Sequence, residues 1–155
     1  MKMRAATAAD IPALKSLLRR SWLATWAPEL AFETVQRFAA LDPAGQYAQD
    51  KWREFVVLEN EGALLGMFHI EGNHLHAIHL DPRHKRQRIG SQLMDEVERR
   101  IGLNHHEAEL EVRGFNAGAI AFYRQRGWRQ RRAYQDTECG EPVETFAMVK
   151  TLDQH

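Results

Sequence analysis

The sequence predicts a single α/β domain built on a mixed sheet, with the element order β-α-α-β-β-β-α-β-α-β-β. Three observations lead to this class. Apolar residues recur at helical spacing in some segments and form strand-like runs in others. Short turns that contain Gly and Asn join three consecutive strands into an antiparallel meander. The length of 155 residues and the apolar fraction of 44% fit one domain with a substantial core.

The first third of the chain is expected to contain one strand and two helices. Residues 1–7 are typical of a strand, and Asp10 is the expected N-cap of the first helix. The buried stripe of that helix is predicted to be Ile11, Leu14, Leu17, Leu18 and Trp22. A second helix is expected over residues 31–41, with Phe32, Val35, Phe38 and Ala39 at helical spacing. Asp42-Pro43 is expected to end it, with Gly45 in the loop beyond.

The remaining elements follow from changes in period along the chain. Strands are predicted at residues 53–59, 63–71 and 74–81. Ile89, Leu93, Val97 and Ile101 then recur every four residues, which predicts a helix ending near Gly102. A strand at residues 108–114, a helix at 117–126 closed by Gly127, and two strands at 129–137 and 143–151 complete the order.

Charge and cysteine content restrict the classes of partner. The formal net charge is zero, so no global field predicts binding to nucleic acid or to a membrane. The single cysteine, Cys139, fits a reducing compartment, and the first ten residues contain no apolar run typical of a secretion signal or membrane anchor. We therefore expect a cytoplasmic protein. The Arg-rich stretch 124–132 indicates RNA only weakly, since a solvated face or a contact to a phosphate explains it as well.

The stretch RHKRQRIG, residues 83–90, connects the end of a predicted strand to the start of a predicted helix. Successive loop N–H groups and the positive end of the helix would converge on one spot, as an anion site requires. Gly90 would let a ligand approach the backbone closely. A solvated basic turn explains the same residues equally well.

The segment HLHAIHLDPRHKRQRIGSQLM resembles the strand-4 and motif-A segment of the GCN5-related N-acetyltransferase (GNAT) superfamily. In that family a hydrophobic strand, a proline and the pattern [QR]-x-x-G-x-[GA] precede a helix. Here the pattern falls on Lys85, Arg86, Gln87, Arg88, Ile89 and Gly90. Lys85 keeps a cation at the first position, whereas Arg88 stands where the family has its first glycine. The resemblance implies that these residues and Ser91 bind the pyrophosphate of acetyl-CoA.

A second segment, EVRGFNAGAIAFYRQRGW, resembles the superfamily's strand-5 to helix-4 segment, and the closing FAMVKTL fits as well. The match therefore spans nearly the whole chain. It implies a mostly antiparallel sheet splayed between strands 4 and 5, with acetyl-CoA bound against the backbone of Ile78, His79 and Leu80. It also places Asn116 and Tyr123 at the co-substrate. From the residues alone, Asn116 is also a good N-cap and Tyr123 could simply pack in the core.

The chemistry implied by the resemblance is direct transfer of an acetyl group from acetyl-CoA to a primary amine in a ternary complex. In that family Tyr123 would be the acid that protonates the departing thiolate, and the N–H of Ile78 would stabilise the developing oxyanion. A small molecule or a peptide could supply the amine. The alternative is a non-catalytic acyl-CoA-binding or regulatory domain on the same fold. Dimers are common among such folds, which leaves a homodimer open.

The general base is less obvious from the sequence. Family members often place a Glu early in strand 4, and alignment on Pro82 and Gly90 puts His74 there. An imidazole, with an unperturbed pKa of about 6.5, could accept a proton near neutral pH. Glu71 could orient His74 or act through water, and a chain of waters could also replace the base.

The histidines near this strand raise the further possibility of a metal. His69, Glu71, His74, His76 and His79 lie close together in the sequence, and His-x-His on a strand can bind zinc. Since no third or fourth ligand follows at a familiar spacing, we expect no metal.

Overall fold

The structure, a computed structural model, describes residues 1–152 except for the side chains of residues 85–87. This part of the chain contains five α-helices and seven β-strands. The helices are α1 (Ile11–Thr25), α2 (Phe32–Leu41), α3 (Pro43–Lys51), α4 (Ile89–Gly102) and α5 (Ala117–Gln125). The strands are β1 (Lys2–Ala5), β2 (Phe55–Asn60), β3 (Ala63–Glu71), β4 (His74–Leu80), β5 (Glu107–Arg113), β6 (Arg129–Glu138) and β7 (Glu141–Thr151). Short 3-10 turns lie at Ala8–Asp10, Ala27–Glu29, Trp52–Glu54 and Pro82–Gln87.

The seven strands form one sheet in the order β1-β2-β3-β4-β5-β7-β6. Every neighbouring pair is antiparallel except β4 and β5, which run parallel. The tight turns after Asn60 and Glu71 build the β2-β3-β4 meander that the sequence predicts. The mixed, mostly antiparallel fold class is therefore confirmed.

The sheet opens between its two parallel strands. β4 pairs with β5 only through His74–Glu109 and Leu75–Leu110. On its other edge, β4 carries one extra residue, His76, because His69 faces Ala77 while the next residue of β3 faces Leu75. Such a β-bulge bends a strand. The bulge lies where pairing with β5 stops, so the predicted splay is confirmed and has a local cause.

Two apolar clusters cover the two faces of the sheet. One is built around α4, whose Ile89, Leu93 and Val97 are fully buried and pack with residues of β5 and α5. The other joins α1 to β2 and β3 through residues such as Leu14, Leu17 and Met67. The helical stripe predicted for residues 89–101 therefore faces the core as expected.

No helix within residues 1–152 is both long and apolar enough to span a membrane.

The structure contradicts one part of the predicted element order. Residues 43–51 form α3 instead of a loop, and Gly45 lies inside this helix. Asp42 ends α2 in a left-handed conformation and also caps α3 by accepting a hydrogen bond from Gly45 N–H, while Pro43 occupies the first helical position. A proline after an Asp is as compatible with a helix start as with a helix end.

Two further expectations about the N-terminal helices are confirmed only in part. In α2, Phe38 is buried as predicted, but Phe32 is 71% exposed and Thr34 is buried in addition. Asp10 occupies the predicted N-cap position of α1, but its side chain makes no capping hydrogen bond to that helix. Its carboxylate instead accepts hydrogen bonds from Arg4 and from the Thr7 N–H.

Candidate functional site

Two cavities meet in the gap between β4 and β5. One, of about 350 Å³, lies among α1, α2, α3 and the β5–β7 strands, and we call it the carboxylate-lined cavity. The other, of about 470 Å³, lies at the N-terminal ends of α4 and α5, and we call it the helix-end cavity. The two share the residues Trp26, Ile78, His79, Asn116, Ala119 and Tyr123. A molecule in either cavity therefore reaches the same short stretch of β4 and the same tyrosine.

The helix-end cavity brings together most of the residues that the sequence singled out. Its walls include Ile78, His79, Leu80, Arg88, Ile89, Gly90, Ser91, Asn116 and Tyr123. Lys85, Arg86 and Gln87 lie in the 3-10 turn that leads to α4, and their side chains lie outside the described part of the chain. Ile89 is fully buried in the core, so only its main-chain atoms can face a ligand.

The start of α4 provides unpaired N–H groups to this cavity. The first N–H groups of a helix have no acceptor within the helix, and they carry the positive end of its dipole. Arg88, the N-cap, makes no side-chain cap and adopts a left-handed conformation with φ of 54°. Glycine adopts this conformation without strain, whereas other residues pay about 1 kcal/mol or more. Arg88 thus keeps the backbone shape of the expected glycine and adds an exposed guanidinium.

Asp81 fixes the loop that leads into α4. Its side chain is fully buried and accepts hydrogen bonds from Arg20 of α1, from the Arg83 side chain and from the Arg83 N–H. Burial alone would raise the pKa of Asp81, but the hydrogen bonds from Arg83 and the charge of Arg20 outweigh it and lower this pKa to about 2. The carboxylate is therefore ionised at neutral pH and ties the loop to α1.

Beyond its bulge, β4 offers backbone N–H groups to the gap. Asp81 N–H donates to the carbonyl of Leu65 in β3. Since N–H groups alternate in direction along a strand, those of Ile78 and Leu80 point away from β3, toward the side where β5 no longer pairs. These two groups can therefore serve as hydrogen-bond donors to a bound molecule.

Tyr123 lies at the junction of the two cavities. It is on α5, whose first turn is held by the Asn116 side chain accepting from Ala119 N–H at 3.3 Å, as expected for an N-cap. The ring is 7% exposed and packs beside Phe122 and Trp128. Burial raises the pKa of Tyr123 to about 12. The hydroxyl is therefore protonated at neutral pH. No side chain of the described residues accepts a hydrogen bond from it.

The carboxylate-lined cavity has aromatic walls and an excess of acidic groups. Its acidic residues are Glu111, Asp136 and Glu138. Arg113 is 3.1 Å from Asp136 and 2.8 Å from Glu138, so one cation balances part of this charge. Trp22 donates its indole N–H to Glu138 at 2.9 Å. The sequence does not single out these acidic residues, because Glu111 is on β5 and the other two are on β6, and only the strand order brings them together.

His79 lies between the two cavities and is held neutral. Its Nδ1 is 2.9 Å from Ser21 Oγ on α1, and the Trp26 ring meets it edge-on. Burial lowers the pKa of His79 to about 4. An uncharged imidazole at this place adds a polar group without adding positive charge to the gap.

The two residues that the sequence suggested for the base, His74 and Glu71, pair across the β3–β4 turn, but their side chains contact different partners. His74 lies beside β5, with Nε2 3.5 Å from Glu111 and Nδ1 3.9 Å from Glu109. The carboxylate of Glu71 instead lies 3.3 Å from Nε2 of His69. Neither His74 nor Glu71 lines a cavity, but Glu111 connects His74 to the carboxylate-lined cavity.

A further polar group lies on β3 and β4 near α3. His69 is fully buried, and burial lowers its pKa. Its Nδ1 is 2.5 Å from the Tyr47 hydroxyl, and its ring meets that of His76 at 5.0 Å. Tyr47 and His76 line the carboxylate-lined cavity, so this cluster forms part of its wall.

Comparison with known proteins identifies a family that matches most of this chain. The family described as "Acetyltransferase (GNAT) domain" matches residues 23–152. No curated protein sequence matches the chain.

Solved structures share the fold at low sequence identity. A GCN5-related N-acetyltransferase from Rhodopseudomonas palustris is 18% identical, with a TM-score of 0.83 over 97% of this chain and 95% of that one. The PaiA N-acetyltransferase from Thermoplasma acidophilum, solved with coenzyme A, is 21% identical, with a TM-score of 0.76 over 97% and 98% of the chains. YncA, a putative acetyltransferase from Salmonella typhimurium solved with acetyl-CoA, is 18% identical, with a TM-score of 0.68 over 100% and 95%. With its splayed sheet and a family match over most of its length, the chain belongs to the GNAT acetyltransferase family.

Proposed function

We propose that the protein is an N-acetyltransferase that moves an acetyl group from acetyl-CoA to a primary amine by direct attack in a ternary complex. The observation that carries this proposal is the meeting of two cavities at Tyr123 and at the unpaired edge of β4. One cavity suits the donor and the other the acceptor. The reacting atoms then meet in the gap without either substrate leaving its own cavity.

The helix-end cavity suits acetyl-CoA because its polar groups are hydrogen-bond donors. The first N–H groups of α4 favour the pyrophosphate, and Arg88 adds a positive charge beside them. The N–H of Leu80 pairs with the amide-containing arm that carries the thioester, which leaves the N–H of Ile78 for the thioester carbonyl. Lys85, Arg86 and Gln87 stay predicted contacts of the pyrophosphate.

The chemistry follows from two hydrogen-bond donors at the junction. Ile78 N–H stabilises the negative charge that develops on the thioester carbonyl oxygen when the amine attacks. Tyr123 then gives its proton to the departing thiolate. The raised pKa of Tyr123 supports this role, because the group must hold its proton until the thiolate forms.

The carboxylate-lined cavity suits a cationic amine. Its three acidic side chains outnumber Arg113, and they attract an ammonium group more than an anionic acceptor. The amine must lose a proton before it attacks. His74 can act as the base only through Glu111, which borders the cavity and lies 3.5 Å from His74 Nε2, or through water. His74→Gln is therefore expected to lower kcat. Unchanged turnover would mean that water, without His74, removes the proton from the amine.

The test is release of CoA thiol from acetyl-CoA in the presence of a panel of amines. Tyr123→Phe is expected to lower kcat by about 10²-fold or more, as for loss of a general acid. Its affinity for CoA should change less than twofold, since the proposed donors to CoA are the N–H groups at the start of α4 and on β4, which the substitution leaves in place. Tyr134→Phe is the matched control, because Tyr134 is on β6 and lines neither cavity.

Two outcomes would contradict the proposal in different ways. Normal turnover by the Tyr123→Phe variant would remove Tyr123 from the acid role. Tight binding of CoA without thiol release from any amine would favour the alternative, a non-catalytic acyl-CoA-binding domain.

A further inference from the structure

Three possible metal ligands converge on the face of the sheet that α3 covers. His69 and Glu71 alternate with Ile70 on β3 and so share a face, and the bulge brings His76 of β4 beside them. One ligand atom from each of His69, Glu71 and His76 lies within 4.8 Å of the other two. The sequence shows these three residues only as part of a larger group of histidines and Glu71, and the strand pairing selects this set from that group.

His69 has a buried ring nitrogen that is available to bind a metal ion. Nε2 of His69 is buried and has no hydrogen-bond partner among the described residues. Its Nδ1 lies 2.5 Å from the Tyr47 hydroxyl. If Nδ1 carries the proton and donates it to Tyr47, the lone pair of Nε2 points into the cluster. Histidines that bind metals are oriented in this way by a hydrogen bond from their other nitrogen.

The charge around Nε2 also favours a cation. The carboxylate of Glu71 is 3.3 Å from this atom, and that of Glu54 is 3.5 Å from it on the other side. Both carboxylates are nearly half exposed, so an ion can reach them from solvent. Glu54 also pairs with Lys51 at 3.5 Å, which makes it a weaker candidate ligand than Glu71.

We propose that His69, His76 and Glu71 bind a divalent transition-metal ion of the Zn²⁺ type, with water as the fourth ligand. Two imidazole nitrogens and one carboxylate are a ligand set that Zn²⁺ prefers at four-coordinate sites. Glu54 supplies additional negative charge beside the ion. The site lies in the wall of the carboxylate-lined cavity, but it does not depend on the proposed acetyl transfer.

The first measurement is titration of the full-length protein, free of any affinity tag and treated with EDTA, with Co²⁺ and then Zn²⁺. Co²⁺ is expected to give the visible absorption of a four-coordinate N/O site at a ratio of one ion per chain. Zn²⁺ should remove that absorption by competition and raise the melting temperature.

Variants then identify the ligands. His76→Gln and Glu71→Gln, both at exposed positions, should weaken binding at least tenfold without loss of folding. Tyr47→Phe should weaken it less, because it removes only the hydrogen bond that orients His69. His106→Ala is the control, since His106 is exposed and lies outside the cluster.

A simple hydrogen bond from His69 to the carboxylates would explain the cluster without a metal. In that case Co²⁺ gives no four-coordinate absorption, or binds with an affinity that His76→Gln and Glu71→Gln leave unchanged. Either result overturns the proposal. Circular dichroism of each variant separates loss of a ligand from loss of the fold.

Discussion

Asp81 should stabilise the folded protein in a way that depends on pH. The folded state lowers the pKa of this carboxyl from 3.8 to about 2, because hydrogen bonds from Arg83 and the charge of Arg20 outweigh the cost of burial. Nearly two pH units at about 1.36 kcal/mol each correspond to about 2.5 kcal/mol of stability at pH 7. The Asp81 side chain is fully buried, but Arg83 is 64% exposed and its charge is partly screened by water, so about 2.5 kcal/mol is the largest value that we expect.

The direction of the effect follows from the lowered pKa. A carboxyl that is more acidic in the folded state contributes its full stabilisation above the unfolded pKa and loses it as the pH falls through the folded pKa. For Asp81 the loss begins near pH 5 and is complete near pH 1. At pH 3 about 1.3 kcal/mol, half of the contribution, should remain.

The assay is urea unfolding of the parent protein and of Asp81→Asn at pH 7 and at pH 3. The variant should lose up to about 2.5 kcal/mol at pH 7 and about half as much at pH 3. Asp95→Asn is the control, because Asp95 pairs with Arg126 at 2.6 Å but is 73% exposed. Its cost should stay below about 1 kcal/mol.

Two results would refute the reasoning about Asp81. A loss at pH 7 no larger than that of Asp95→Asn would mean that the buried hydrogen bonds contribute little. An equal loss at both pH values would mean that the effect comes from packing and not from the carboxylate charge.

Substitution of one glycine is predicted to affect binding of acetyl-CoA, and substitution of another to affect stability. An added Cβ at Gly118 meets no atom within 4 Å, yet the residue lines the helix-end cavity. Gly118→Leu should therefore keep or slightly raise the free energy of unfolding while raising KM for acetyl-CoA at least tenfold, and an unchanged KM would place the donor elsewhere. A Cβ at Gly66 would lie 2.8 Å from Leu93 Cδ1 and 3.0 Å from the His79 carbonyl oxygen. Gly66→Ala should cost about 1–3 kcal/mol in urea unfolding, and a loss below about 0.5 kcal/mol would contradict this packing.

The elements with strong periodicity could be predicted from the sequence. The stripe of α4 and the β2–β4 meander depend on local patterns, and the structure confirms both. The helix α3 could not be predicted in this way, because PAGQYAQDK contains few large apolar residues and begins with a proline. Its position depends on packing of Ala48 and Tyr47 against the sheet, which is a tertiary contact.

In the candidate site, too, residues in continuous segments could be predicted from the sequence, whereas residues brought together by strand pairing could not. The loop before α4 and the helix with Tyr123 are continuous segments, so a motif identifies them. The acidic wall of the carboxylate-lined cavity combines Glu111 with Asp136 and Glu138 from another strand, and only the strand order brings them together. The position of His74 beside Glu109 and Glu111 likewise depends on the parallel pairing of β4 with β5.

The bulge at His76 makes the length of β4 as important as its composition. Without that one residue, β4 could stay in register with β3 along its whole length, and the bend that separates it from β5 would be lost. Deleting it would leave the other residues of β4 on the faces that they occupy now, because Leu75 and Ala77 already lie opposite consecutive residues of β3. Only the bend would be removed. The gap between the strands is therefore sensitive to insertions and deletions at a position where many substitutions would leave its shape intact.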